Sequence, residues 1–131
     1  MKERCAGSSG IVLEVLDFRF SVCKTADLMG LDLSRPFCFA AVTDEEFSTV
    51  CPEELVPDKV TVREDGWRGF RIKGPLDFSL IGILAGISGV LAEAGVGIFA
   101  VSTFNTDYIF TKEENFDRAR DALADAGYVF S

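Results

Sequence analysis

The chain contains no histidine, so neutral-pH acid–base work and zinc ligation must fall to other side chains. Its four cysteines, Cys5, Cys23, Cys38 and Cys51, include no Cys-x-x-Cys pair, and no metal site is expected from them. Cys23 and Cys38 lie in apolar segments and read as small core residues. The residues best suited to chemistry are Asp77 and Ser79, just ahead of a helical pattern that starts near Leu80. A helix N-terminus presents free N–H groups and a partial positive charge, and can hold a carboxylate. Asp77 beside it could take an ammonium group. These are the two ends of an α-amino acid. The same residues also fit plain helix capping. Backbone at Ala100, Val101 and Ser102 could add donors and acceptors.

Catalysis needs a nucleophile and a base within reach of each other. No constellation assigns that pair, so no catalytic residue and no cofactor are expected. The nearest approach to an anion loop, "GWRGFR" at 66–71, reads as a strand. The 131 residues carry 21 acids against 13 bases, a net charge of −8. Such a surface repels a phosphate backbone, which argues against nucleic acid as a partner. No apolar run reaches 18 residues, and 1–10 lacks an apolar signal core. A cytoplasmic protein with no membrane partner is expected.

The elements that would position Asp77 and Ser102 are clearest in the second half. Alternation of Phe70 and Ile72 with Arg71 and Lys73 predicts a strand over 67–73. Gly74-Pro75 ends it. Leu80, Leu84, Ile87, Leu91 and Ala94 predict a helix closed by Gly95. A strand over 98–104, a turn at Asn105-Thr106-Asp107 and a strand over 108–110 follow. Thr111 and Glu114 form a capping-box pattern, and Phe116, Ala119, Leu123 and Ala126 give the next helix one apolar face. Gly127 and a short strand at 128–130 close a β-α-β-β-α-β order, the ferredoxin-like α+β arrangement.

The first half holds a weaker copy. Sliding "FAAVTDEEFSTVCPEE" (39–54) forward by sixty positions aligns Phe39, Ala40, Thr43, Glu53 and Glu54 with identical residues. Where the second half has its long helix, the first has "TADLMGLDLSRP" at 25–36, and its second helix shrinks to "PEELVPD". Two related units are expected: a reduced one over 11–65 and a complete one over 66–131. "TDEE" at 43–46 reads as a turn rather than a ligand cluster.

"GPLDFSLIGILAGISGVLAEAGVGIFAVSTFNTDYIF" (74–110) resembles the ACT domains of the aspartate-kinase regulatory type. The likeness extends to small stand-alone tandem ACT proteins and to animal cytosolic arginine sensors. The resemblance implies units paired side by side, an amino acid or similar small molecule held at their interface, a homodimer, and a regulated enzyme as a further partner. Carried onto this chain, one wall of the site is Pro75, Leu76, Asp77, Phe78, Ser79 and Leu80. The other is Phe99, Ala100, Val101, Ser102 and Thr103. Gly82, Gly86 and Gly89 fall at spacings of four and three, which would allow close approach of a second helix or of the chain's own sheet. The rival reading is a ligand-free interaction subunit that regulates a partner enzyme.

Overall fold

The computed structural model describes residues 10–74 and 81–131. The chain divides into two compact units, one of residues up to Asp17 with Arg68–Ser131, the other Phe18–Trp67.

In the unit containing the C-terminus, the strands are β1 (Val12–Val15), the last part of β5 (Val60–Ile72), β6 (Ile98–Ser102), β7 (Asp107–Lys112) and β8 (Val129–Phe130). Helices α1 (Ile83–Glu93) and α2 (Phe116–Asp125) join them in the β-α-β-β-α-β order. The strands lie in the order β6-β7-β5-β1-β8. In the plain ferredoxin-like sheet the last strand would lie beside the first. Here β1 intervenes, antiparallel to β5 through Leu13–Ile72 and Val15–Phe70 and parallel to β8 through Leu13–Phe130. Residues 11–17, expected within the first unit, therefore belong to this one. Their apolar alternation is satisfied here, since Leu13 is fully buried with Phe70 and Ile72.

Both helices bury their apolar faces in one core. Ile83, Ile87 and Leu91 from α1 meet Phe116, Ala119 and Leu123 from α2 over Leu13, Phe70, Ile72 and Ile109 of the strands. Each large aliphatic or aromatic side chain so buried contributes roughly 1.5–3 kcal/mol. The two helices end alike. Gly95 and Gly127 take positive φ of 75° and 104°. The next residues, Val96 and Tyr128, donate back to the Leu91 and Leu123 carbonyls at 2.9 and 3.0 Å. These are Schellman closures, and in each the buried residue after the glycine sits over the buried leucine.

The starts of the helices differ from expectation. α1 begins at Ile83, not near Leu80, because Gly82 stands at its N-cap with φ +86° and no side-chain cap. Before α2, a 3-10 turn at Glu113–Asn115 follows the strand, and no side chain caps either element. The Thr111–Glu114 capping box is not formed. Thr111 is the buried penultimate residue of β7, and its hydroxyl donates to the Lys112 carbonyl.

The other unit has strands β2 (Phe20–Thr25), β3 (Phe39–Val42) and β4 (Phe47–Pro52) with the first part of β5, in the order β3-β4-β2-β5. No helix lies between β2 and β3, where 26–38 runs through turns, and only a 3-10 turn, Glu53–Leu55, follows β4. The repeat in the sequence is a repeat of geometry. β3 and β4 pair Phe39–Val50, Ala40–Thr49, Ala41–Ser48 and Val42–Phe47. β6 and β7 pair Phe99–Phe110, Ala100–Ile109, Val101–Tyr108 and Ser102–Asp107, each pair sixty residues on. The 3-10 turns after the two hairpins keep that offset. The hairpin ends match as well. Thr43 N–H donates to the Glu46 carbonyl at 2.9 Å, and Thr103 N–H to the Thr106 carbonyl at 2.8 Å. Thr43 Oγ1 and Thr103 Oγ1 donate to the same carbonyls at 3.3 and 3.0 Å. "TDEE" is thus a turn built by Thr43.

Candidate functional site

β6 is the strand on which the site reading rests, and among the described residues it pairs with β7 alone, leaving its other edge open. Strand alternation divides its side chains. Ile98 packs toward the helical core, and Ala100 and Ser102 on the same side are exposed. Phe99 and Val101 point to the opposite face and are partly buried. The Phe99 ring stacks on that of its register partner Phe110 at 4.9 Å and 16°. Phe110 in turn lies against Gly69 of β5, where an added Cβ would come within 2.8 Å of its ring. Only glycine at 69 lets β5 and the ring approach so closely.

The strand stops at Ser102, two residues before the expected end at Phe104. Ser102 Oγ donates to Asp107 Oδ1 at 2.6 Å, closing the last register pair. Thr103 belongs to the turn. Thr106, which sequence alone reads as ordinary hairpin chemistry, does more. It is buried, and its Oγ1 donates to the Ile72 carbonyl at 2.6 Å. That bond fastens the end of the β6–β7 hairpin to the end of β5, from which the chain continues into 75–80. The equivalent position in the first hairpin is Glu46, which is exposed. No sequence signal distinguishes a buried threonine here from a turn threonine.

The face carrying Phe99 and Phe110 also holds a polar cluster that sequence reasoning missed. Arg71 Nε donates to Glu14 Oε1 at 2.9 Å, and Arg71 Nη1 to the Tyr108 hydroxyl at 3.4 Å. The pairing follows from register, since Glu14 stands opposite Arg71. These bonds, the one to Glu14 first, raise the guanidinium pKa above its ordinary value.

Of the residues assigned to the two walls, the structure places Phe99, Ala100, Val101 and Ser102 on one edge strand and Thr103 in the turn beyond it. Pro75, Leu76, Asp77, Phe78, Ser79 and Leu80 lie outside the described residues. The three glycines assigned to an interface are not equivalent. Gly82 is an exposed N-cap residue, Gly86 is buried within the chain, and Gly89 is exposed with open space around its Cβ position. They do not form one exposed stripe, because the left-handed turn at Gly82 takes it out of the helix. Cys23 is buried as expected, and Cys51 is fully buried, whereas Cys38 is only partly so. Among the described residues no group of three or more Cys, Asp or Glu is placed to hold a metal ion. No helix among them is long and apolar enough to cross a membrane. Among the described residues the arrangement is an edge strand paired on one side only, with exposed Ala100 and Ser102 and a stacked aromatic pair on its other face.

Comparison with known proteins gives this arrangement a class. Residues 62–125 match the family model described as the ACT domain. The cytosolic arginine sensor for mTORC1 subunit 1 of Rattus norvegicus is 32% identical over 120 residues, covering 86% of this chain. The chain spans 36% of the length of that relative. An X-ray structure of a protein from Agobacterium tumefaciens is 28% identical, with a TM-score of 0.82, covering 99% of this chain and 94% of that one. The aspartate kinase of Clostridium acetobutylicum superposes with a TM-score of 0.63 at 16% identity, over 96% of this chain and 36% of the kinase, a likeness of fold alone. The chain carries an ACT domain with the ferredoxin-like fold, homologous to the cytosolic arginine sensor and structurally akin to the regulatory domains of aspartate kinases.

Proposed function

We propose that this chain is a non-catalytic regulatory module that binds an amino acid at an interface between ACT units. The observation that carries the reading is the open edge of β6 in an ACT domain homologous over 86% of the chain to a protein named as an arginine sensor. An amino acid presents an ammonium donor and a carboxylate acceptor, and a free strand edge offers a match for each. In this reading 75–80 supplies the facing wall, with Asp77 on the ammonium and the N–H groups near the helix start on the carboxylate. The identical register of the two hairpins sixty residues apart supports tandem ACT units, the first reduced by loss of its helices. A homodimer and a regulated enzyme complete the proposal, in a cytoplasmic setting.

The test is thermal unfolding of the purified chain against each of the twenty amino acids at millimolar concentration, arginine first. A ligand at a hundred times its dissociation constant adds about 2.7 kcal/mol, a shift of roughly several degrees. One amino acid raising Tm, with the rise lost in Asp77→Ala at unchanged basal Tm, is the expected result. No shift across the panel would replace this reading with a ligand-free subunit that regulates through contact with a partner enzyme.

A further inference from the structure

Three cysteines of the unit Phe18–Trp67 gather on one face of its strands. The β3–β4 ladder ends at Phe39 opposite Val50; continued by one position it brings Cys38, the residue before β3, opposite Cys51, and the two thiols are close enough to interact. Directly opposed antiparallel residues have Cα atoms about 4.5–5.5 Å apart. A disulfide needs roughly 4.4–6.8 Å. Cys23 is opposite Thr49, and Cys51 opposite Ser21, so Cys23 and Cys51 are diagonal neighbours, about 7–8 Å apart and outside that window. The approach to Cys38 is also unusual. Phe37 has φ +66°, a left-handed conformation that a bulky residue rarely takes, and its ring lies 5.6 Å from that of Phe18. On the other side the start of β3 is tied down by Thr49 Oγ1, which donates to the Phe39 carbonyl at 2.9 Å.

We propose that Cys38 and Cys51 are a redox pair that closes into a reversible disulfide across the β3–β4 hairpin when the chain meets a small-molecule disulfide such as oxidised glutathione. Cys38, partly exposed in the residue before edge strand β3, reacts first, while Cys51 is shielded at 0% exposure. The Cys38 thiolate attacks one sulfur of the reagent. The Cys38–S bond forms, the reagent's S–S bond breaks, and one small thiolate leaves to take up the proton that Cys38 lost. Cys51 then gives up its proton and attacks the Cys38 sulfur. The Cys38–Cys51 bond forms, and the second small thiol departs with that proton. Two protein thiols are oxidised and one small disulfide is reduced to two thiols. Burial, followed by the nearby Cys38 and Cys23, holds the Cys51 thiol up at about 11, and burial raises that of Cys38 as well, so it is access to the reagent that makes Cys38 the first to react.

The experiment incubates the full chain with millimolar oxidised glutathione, blocks remaining thiols under denaturing conditions, and maps the digest by mass spectrometry. The expected result is an intact mass lower by two hydrogens and a linked pair of peptides containing Cys38 and Cys51, both reversed by dithiothreitol. The link disappears in Cys38→Ser and persists in Cys23→Ser. The wild-type map decides the matter even if a variant fails to fold. A glutathione adduct resting on Cys38 while Cys51 is still alkylated, a bridge to Cys23 or Cys5, or an unchanged mass would each overturn the pairing.

Discussion

Replacing Gly69 with alanine tests the packing that sets the candidate site's edge strand. The added Cβ would lie 2.8 Å from two carbons of the Phe110 ring, against 3.4 Å for ordinary contact, so something must move by about 0.6 Å (3.4 − 2.8). The obstacle is a fully buried ring, stacked on Phe99 of β6, and not the loose end of a flexible side chain. Overpacking of this kind costs about 1–3 kcal/mol. Alanine recovers about 0.5–1 kcal/mol of the backbone entropy that glycine loses in a strand. The net loss is about 0–2.5 kcal/mol with its middle near 1, a fall in Tm of roughly 3–5 °C at that middle value for a chain of this size. Calorimetry and urea midpoints read it directly. Gly69→Ala in a Phe110→Leu background should cost less than in the wild type, with a coupling of at least about 0.5 kcal/mol, since leucine leaves room beside the new methyl. Because Phe99 rides on Phe110, Gly69→Ala should also weaken binding of whatever amino acid raises Tm in the wild type. A Gly69→Ala cost that is the same in the Phe110→Leu background as in the wild type would refute the close approach of β5 and the Phe110 ring.

Other outcomes follow from single contacts. Thr106→Val keeps the shape but removes the 2.6 Å donor to the Ile72 carbonyl, and should cost about 1–3 kcal/mol in urea unfolding, whereas Glu46→Ala at the matching exposed turn should stay within about 0.5 kcal/mol. Gly127→Ala forces a side chain onto φ +104° and should cost about 1–2 kcal/mol by the same assay. Cys51 supplies a pH dependence. Its folded thiol titrates at about 11 against the ordinary 9, so the unfolded chain ionises first, and the stability it contributes is whole below pH 9 and lost as pH rises toward 11. The full loss is on the order of a few kcal/mol, and a Cys51→Ala chain should show a flatter alkaline limb in Tm against pH.

The parts of the fold that were legible are those in which a local pattern and the tertiary structure agree. α2 shows this well: Phe116, Ala119, Leu123 and Ala126 are all buried, and Gly127 closes the helix as its position suggests. The hairpin duplication was legible because turn chemistry fixes register, and Thr43 and Thr103 build the same turn. What escaped was decided by distant partners. Nothing near Val12–Val15 says that it will lie between β5 and β8; its alternation fits any half-covered sheet. The start of α1 was misread because Gly82 fits a helical glycine and a left-handed cap equally well in sequence. The Thr111–Glu114 box failed for a related reason, as burial of Thr111 at the end of β7 took the hydroxyl that the cap required.

The two hairpins show what duplication can keep and what it can discard. A two-stranded ladder carries its own register through its turn, so it survives at a constant offset of sixty even where only five of sixteen residues still match. A helix has no such internal anchor; it persists where its apolar face finds a core, as α1 and α2 do around Ile87 and Leu123. The 26–38 segment offers Leu28, Met29, Leu31 and Leu33 with no i, i+4, i+7 stripe, and Met29 is 90% exposed. Without that stripe the copy keeps its strands and turns and loses its helix. Its open edge strand β3 matches β6 in register, but the side chains at Ala40, Ala41 and Val42 carry no hydroxyl where β6 ends in Ser102. The proposed function assigns the amino acid to the unit containing β6, so Ser102→Ala, which frees Asp107 from its 2.6 Å bond at the end of that strand, should weaken the response to the amino acid while Val42→Ala leaves it within twofold of wild type in the same thermal assay.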